Sequence, residues 1–110
     1  MADPRIRQLV IKTGVVKRLA KEKTVYEKEI NTELARLDKF KNEGADDHVL
    51  RKQEEVIQEC QMMIPDSKRR LQKEFEVLQK YLQDELDLKE TEAYTKASEV
   101  LVEAESALKS

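Results

Sequence analysis

The chain has 110 residues, 40% of them Asp, Glu, Lys or Arg and only 5% aromatic, with two glycines, two prolines and no tryptophan. A length of this order supports one domain, and a chain so poor in turn residues and aromatics does not build a globular β-fold. A formal net charge of −2 excludes a polyanion binder as a whole, although the charge is unevenly spread.

Asp3-Pro4 is a helix start: the carboxylate caps free N–H groups, and proline at the first helical position loses no needed hydrogen bond. Ile6, Leu9, Thr13, Val16, Ala20, Ile30, Leu34 and Leu37 then recur at three- and four-residue spacing, widened by Leu19, Tyr26 and Phe40. Such periodicity excludes disorder as the reading of so much charge. Lys23 and Glu27 interrupt the seam, which leaves Val25 and Tyr26 to pack there. Gly14 costs about 1 kcal/mol against alanine inside a helix; a close helix crossing or simple tolerance explains it. Gly44 terminates the helix beyond Asn42.

Asp46 or Asp47 caps a second helix. Its stripe runs Val49, Leu50, Val56, Ile57, Cys60, Met63 and Ile64, then resumes after Pro65 with Leu71, Phe75, Leu78 and Leu82. Because the period survives the proline, one long kinked helix is expected. The alternative is a true break, with Asp66 or Ser67 capping a new helix. Asp87-Leu88-Lys89-Glu90 has capping-box spacing, and Ala93, Tyr94, Ala97, Val100, Leu101, Ala104 and Leu108 supply a third apolar stripe. The expected fold is therefore all-α. It is an elongated three-helix bundle over 1–110, with two long antiparallel helices (4–42 and 47–86, kinked at Pro65) and a shorter third (88–108). Short connections make neighbours antiparallel. The third helix then lies beside the basic half of the first, and the far end is a bare two-helix hairpin. Between Met1 and Lys23 there are seven Lys or Arg against two acids, and between Asp84 and Ser110 eight acids against three lysines. An acidic third helix facing a basic first one accounts for that asymmetry.

Nothing in the sequence assembles a catalytic, cofactor or metal site. His48 is the one histidine and reads as a surface residue, since a metal needs more nitrogen or sulfur ligands nearby. Cys60 lies on the apolar stripe and reads as a core thiol. A single cysteine forms no internal disulfide and demands no oxidising compartment. The acids alternate with Lys and Arg as helix-surface pairs, and no Gly-rich phosphate loop exists. There is no signal-peptide pattern at the N-terminus and no apolar run long enough to span a bilayer, so a cytoplasmic location is the default. The basic stretch lacks interleaved aromatics for nucleic acid, and the interrupted face of the first helix argues against a membrane surface. A protein-binding surface remains. Met62-Met63-Ile64-Pro65 puts four apolar residues in a row, which cannot all face a core. The candidate contact residues are Lys12, Lys17, Arg18, Lys21 and Tyr26 on the first helix and Met62, Met63, Pro65, Arg69 and Arg70 on the second.

The run MADPRIRQLVIKTGVVKRLAKEKTVYEKE and the central CQMMIPDSKRRL resemble the tubulin-specific chaperone A (tubulin-binding cofactor A) family. The resemblance spans the chain, is densest over 1–29 and 61–71, and is loosest around 31–47 and after 90. It implies a three-helix bundle that captures β-tubulin folding intermediates and holds them for heterodimer assembly, stoichiometrically and without nucleotide. It also implies contact with other tubulin-folding cofactors and a cytoskeletal association; the sequence itself leaves monomer and homodimer both open, since the bare hairpin end could pair with a second copy. Periodicity and charge alone equally allow a scaffold coiled coil that pairs with itself or with other helices.

Overall fold

The computed structural model describes residues 3–110, and no strand occurs among them. Helix α1 runs Pro4–Asn42, α2 runs Asp47–Asp84, a short 3₁₀ turn covers Leu86–Leu88, and α3 runs Glu92–Lys109. At 1.5 Å per residue α1 and α2 are each close to 57 Å long, which sets the 64 × 24 × 19 Å envelope. The radius of gyration is 19.4 Å, against about 13 Å for a compact domain of this size. The molecule is a rod.

The ends of α1 follow from local chemistry. Asp3 Oδ1 accepts from the Arg5 backbone N–H at 2.9 Å, and Pro4 opens the helix. At the other end Gly44 takes φ 71°, the left-handed conformation that glycine adopts at least cost. Ala45 N–H then donates to Phe40 O and Gly44 N–H to Lys41 O, which together close a Schellman motif. Asp46 caps α2 by accepting from Val49 N–H at 3.0 Å. Of the two acids in that loop, Asp46 is the cap because Asp47 is already the first helical residue. Helix α2 passes through Pro65 without a break, so neither Asp66 nor Ser67 starts a new helix.

The α2–α3 corner differs from the capping-box reading. Thr91, not Asp87, caps α3: its Oγ1 accepts from Tyr94 N–H and donates to Leu88 O. Residues 85–91 are tightened by three-residue hydrogen bonds that bury Leu88. Asp87 is turned outward and meets Arg5 across the end of the rod at 2.6 Å. Arg5 also binds Glu85 and Asp3. Its guanidinium and backbone N–H hold the Asp3 carboxyl below its ordinary 3.8. A carboxyl depressed in the fold contributes stability above its unfolded pKa and loses it as pH falls through the folded one. Urea midpoints should therefore fall between pH 5 and pH 3, and Asp3→Asn, which keeps the cap but not the charge, should show a shallower fall.

Long-range bonds set the register. Gln53 Nε2 donates to Glu33 O and Tyr81 OH to Arg5 O, so α1 and α2 are antiparallel along their full length. Tyr94 OH donates to Leu82 O, and Lys23 Nζ donates to the main-chain oxygen of Ser110. Helix α3 therefore runs parallel to α1 and stops level with Lys23. The main core lies in this three-helix half: Leu9, Val16 and Leu19 against Leu71, Leu78, Leu82 and Leu88, with Ala97, Val100 and Ala104 bringing α3 close. Beyond Lys23 the hairpin buries only Leu37, Gln53 and Ile57.

Lys23 does not interrupt the seam. Its stem is buried and its ammonium binds Glu27 at 2.6 Å and the Ser110 hydroxyl at 3.2 Å. A cation at the C-terminal end of α3 also suits the helix dipole. Val25, which would otherwise have had to pack there, is exposed. Nor does Gly14 mark a close crossing. A Cβ built on it meets nothing within 4 Å. Gly14→Ala should accordingly raise stability by about 0.5–1 kcal/mol, read as a higher midpoint in a thermal melt followed by circular dichroism.

Candidate partner-binding surface

No group of three or more His, Cys, Asp or Glu is placed to hold a metal among the described residues. The surface depressions are shallow clefts between helices, such as the one lined by Lys17, Ala20, Lys21, Thr24, Glu103 and Ala107. His48 is exposed in the first turn of α2. Cys60 is half-buried rather than core. Burial, with Glu29, Glu33 and Glu59 nearby, pushes its thiol pKa up, the reverse of what an activated thiolate requires.

The helical faces are what the molecule presents. At about 100° per residue, the buried side of α1 is fixed by Leu9, Val16, Leu19, Lys23 and Leu37. Directly opposite stands Gly14. Within about 65° of that direction lie Arg7, Lys17, Arg18, Lys21, Lys28, Arg36 and Lys39 against one acid, Glu29, and every one of these is exposed. Three aliphatic residues share the face: Val10, 57% exposed, Ile11, 50%, and Val25, 42%. Its cations are little engaged. Arg18 approaches Glu22 at 3.9 Å and Arg36 binds Glu33, while no other cation of this face is in an ion pair among the described residues. Helix α3 lies beside them, as the charge asymmetry led one to expect, with Glu103 lining a cleft with Lys17 and Lys21, but it forms no direct ion pair with them among the described residues. Its lysines pair within the helix, Lys96 with Glu92 and Lys109 with Glu105. Among the described residues, the one long-range ion pairing of an N-terminal cation is Arg5 with Glu85 and Asp87.

The outward face of α2 has a different character. Met62, 75% exposed, stands diametrically opposite the buried stripe, with Pro65 and Arg69 beside it. Charges here are mixed, with Arg51, Arg69, Lys73 and Lys80 among Asp47, Glu55, Glu59, Asp66, Glu76 and Asp84. Arg69 and Arg70 both turn back onto Asp66, and Lys80 onto Asp84.

Nine of the ten sequence-chosen contact residues therefore fall on three surfaces. Lys17, Arg18 and Lys21 lie together on outward α1. Met62, Pro65 and Arg69 lie on outward α2, which faces the other way. Tyr26, Met63 and Arg70 sit on the flank away from α3, where Met63 is exposed and Tyr26 half-buried. Lys12 is engaged within the fold, its ammonium 5.5 Å from the centre of the Tyr81 ring in a cation–π contact. Sequence reasoning missed Arg7, Val10, Ile11, Val25 and Lys28. A signal was present: Leu9-Val10-Ile11 is an apolar triplet that one helix cannot bury whole, as at Met62–Pro65.

This three-helix rod is shared with known proteins. Residues 4–101 match the family model described as tubulin binding cofactor A. The chain belongs to the tubulin binding cofactor A family. The tubulin-specific chaperone A of Gallus gallus is 50% identical over 101 residues, which cover 92% of this chain and 94% of the relative. Among solved structures, human tubulin chaperone cofactor A superposes with a TM-score of 0.80 at 44% identity, over 93% of this chain and 99% of that one. Tubulin folding cofactor A from Arabidopsis thaliana superposes with a TM-score of 0.88 at 36% identity, over 94% and 97%. The three-helix rod is thus the cofactor A fold, as the N-terminal and central motifs implied.

Proposed function

We propose that this chain is a tubulin-folding chaperone that captures β-tubulin folding intermediates and holds them for assembly with α-tubulin. It works stoichiometrically, as a single domain in the cytoplasm, without nucleotide or catalysis. The observation that carries this reading is the form of the surface. A helical rod with exposed aliphatic and cationic side chains on its convex faces covers another protein's surface and does not enclose a substrate. Its relatives are named as tubulin chaperones. A subunit of an obligate dimer exposes, before assembly, the surface meant for its partner, and a reversible binder shields it. The deciding experiment is retention of β-tubulin on the immobilised chain, with α-tubulin as control. β-Tubulin should be held and α-tubulin washed through; equal loss of both would overturn the reading.

The cations of outward α1 steer that encounter. Opposite charge raises association rates in a salt-dependent way, by tenfold or more. Reversing Lys17, Arg18 and Lys21 to Glu should slow β-tubulin capture on the order of tenfold at low salt and flatten its dependence on ionic strength. Stopped-flow association across a salt series reads both.

A further inference from the structure

Outward α1 and outward α2 are both exposed, but only one is unbalanced. The α2 cations nearest Met62 are already neutralised by Asp66, so an approaching protein meets a mixed and self-satisfied surface there. Outward α1 carries seven cations to one acid beside three exposed aliphatic side chains. A row of cations, five of the seven outside any ion pair among the described residues, flanking apolar side chains matches an amphipathic segment edged with acids.

At the middle of this face is a notch. Gly14 is exposed, and the space where its side chain would stand is open. Its backbone is ordinary right-handed helix, so the fold needs no glycine there. Val10, Ile11, Lys17 and Arg18 surround the gap at neighbouring helical positions, and Lys21 stands one turn further along the same face. Two helices come closest where one of them lacks a side chain at the crossing point.

We infer that an acidic amphipathic helix of the client crosses α1 at Gly14, its apolar side on Val10 and Ile11 and its carboxylates on Arg18 and Lys21. This rests on the reading of the chain as a tubulin chaperone and names the surface that does the holding. The notch lets the client backbone approach α1, and client acids give a close partner to Lys21, which has no ion pair among the described residues, and to Arg18, which has only the 3.9 Å approach of Glu22.

The test fills the notch without touching charge. Gly14→Gln adds a flexible, helix-favouring side chain where the fold leaves room, and Met62→Gln does the equivalent on α2. Met62→Gln should melt near the wild-type temperature and Gly14→Gln at or above it, since a helix-favouring residue replaces glycine in open space. Against immobilised β-tubulin, Gly14→Gln should weaken binding at least tenfold, and Met62→Gln should stay within twofold of wild type. Retention of β-tubulin by wild type together with unchanged binding by Gly14→Gln would overturn the α1 assignment and leave the chaperone reading standing. So would equal weakening by the two variants. Failure of wild type itself to hold β-tubulin would overturn both. Sedimentation of the free chain closes the remaining route: a dimer abolished by Gly14→Gln would give the face to a second copy and overturn the proposal.

Discussion

Leu71→Ala should lower stability by about 3–5 kcal/mol, the upper part of the range for a large core side chain cut to alanine. Leu71 is fully buried in α2, in the half of the rod where three helices meet, and it packs in one cluster with Val16 and Leu19 of α1 and with α3. Three helices hold that position from all sides, so little can move in to close the cavity. Leu37→Ala is the contrasting substitution. Leu37 lies in the bare hairpin, 9% exposed, where only two helices line the gap and water reaches its edge. Its cost should fall near 2 kcal/mol. Urea unfolding followed by circular dichroism measures both. Hydrogen exchange should separate them further. Leu71→Ala should lower protection throughout the rod, whereas Leu37→Ala should lower it mainly in the stretch beyond Lys23. Equal costs for the two would mean that the hairpin end is as firmly held as the three-helix end.

Much of this architecture was legible because helices carry their own punctuation. Asp3-Pro4, Gly44 and Asp46 are local signals, and each acts within a few residues of where it stands. What was not legible depended on contacts between distant residues. Asp87 has capping-box spacing, but Arg5, at the far end of the sequence, claims its carboxylate and leaves the cap to Thr91. Lys23 reads as a break in the apolar seam, yet it sits where α3 ends and buries its stem under that end. Cys60 falls on the apolar stripe but beyond the reach of α3, so its position in the pattern did not deliver full burial. The candidate contact surface was half legible. The charge run named Lys17, Arg18 and Lys21 correctly as neighbours. Only the phase fixed by the buried residues showed that Val10, Ile11 and Gly14 share their face and that Met62 points the other way.

That opposition makes Pro65→Ala informative about stability and binding together. Pro65 lies deep inside α2, where it removes the N–H that the Gln61 carbonyl would accept and crowds that carbonyl. An interior proline costs about 3 kcal/mol against alanine in a helix. Part of that is already recovered here, because Pro65 and Gln61 are both exposed and water reaches the freed carbonyl. Two residues on, Ser67 is fully buried and its hydroxyl has no partner, although a helical serine ordinarily donates to the carbonyl four residues back. Pro65→Ala should therefore raise stability by about 1–3 kcal/mol, seen as a higher thermal midpoint. If the client is held on outward α1, the same variant should retain β-tubulin as well as wild type does, because Pro65 and Met62 stand on the opposite face. A variant that melts higher yet releases β-tubulin would move the contact to α2, and would mean that the proline is kept for the shape it gives that face.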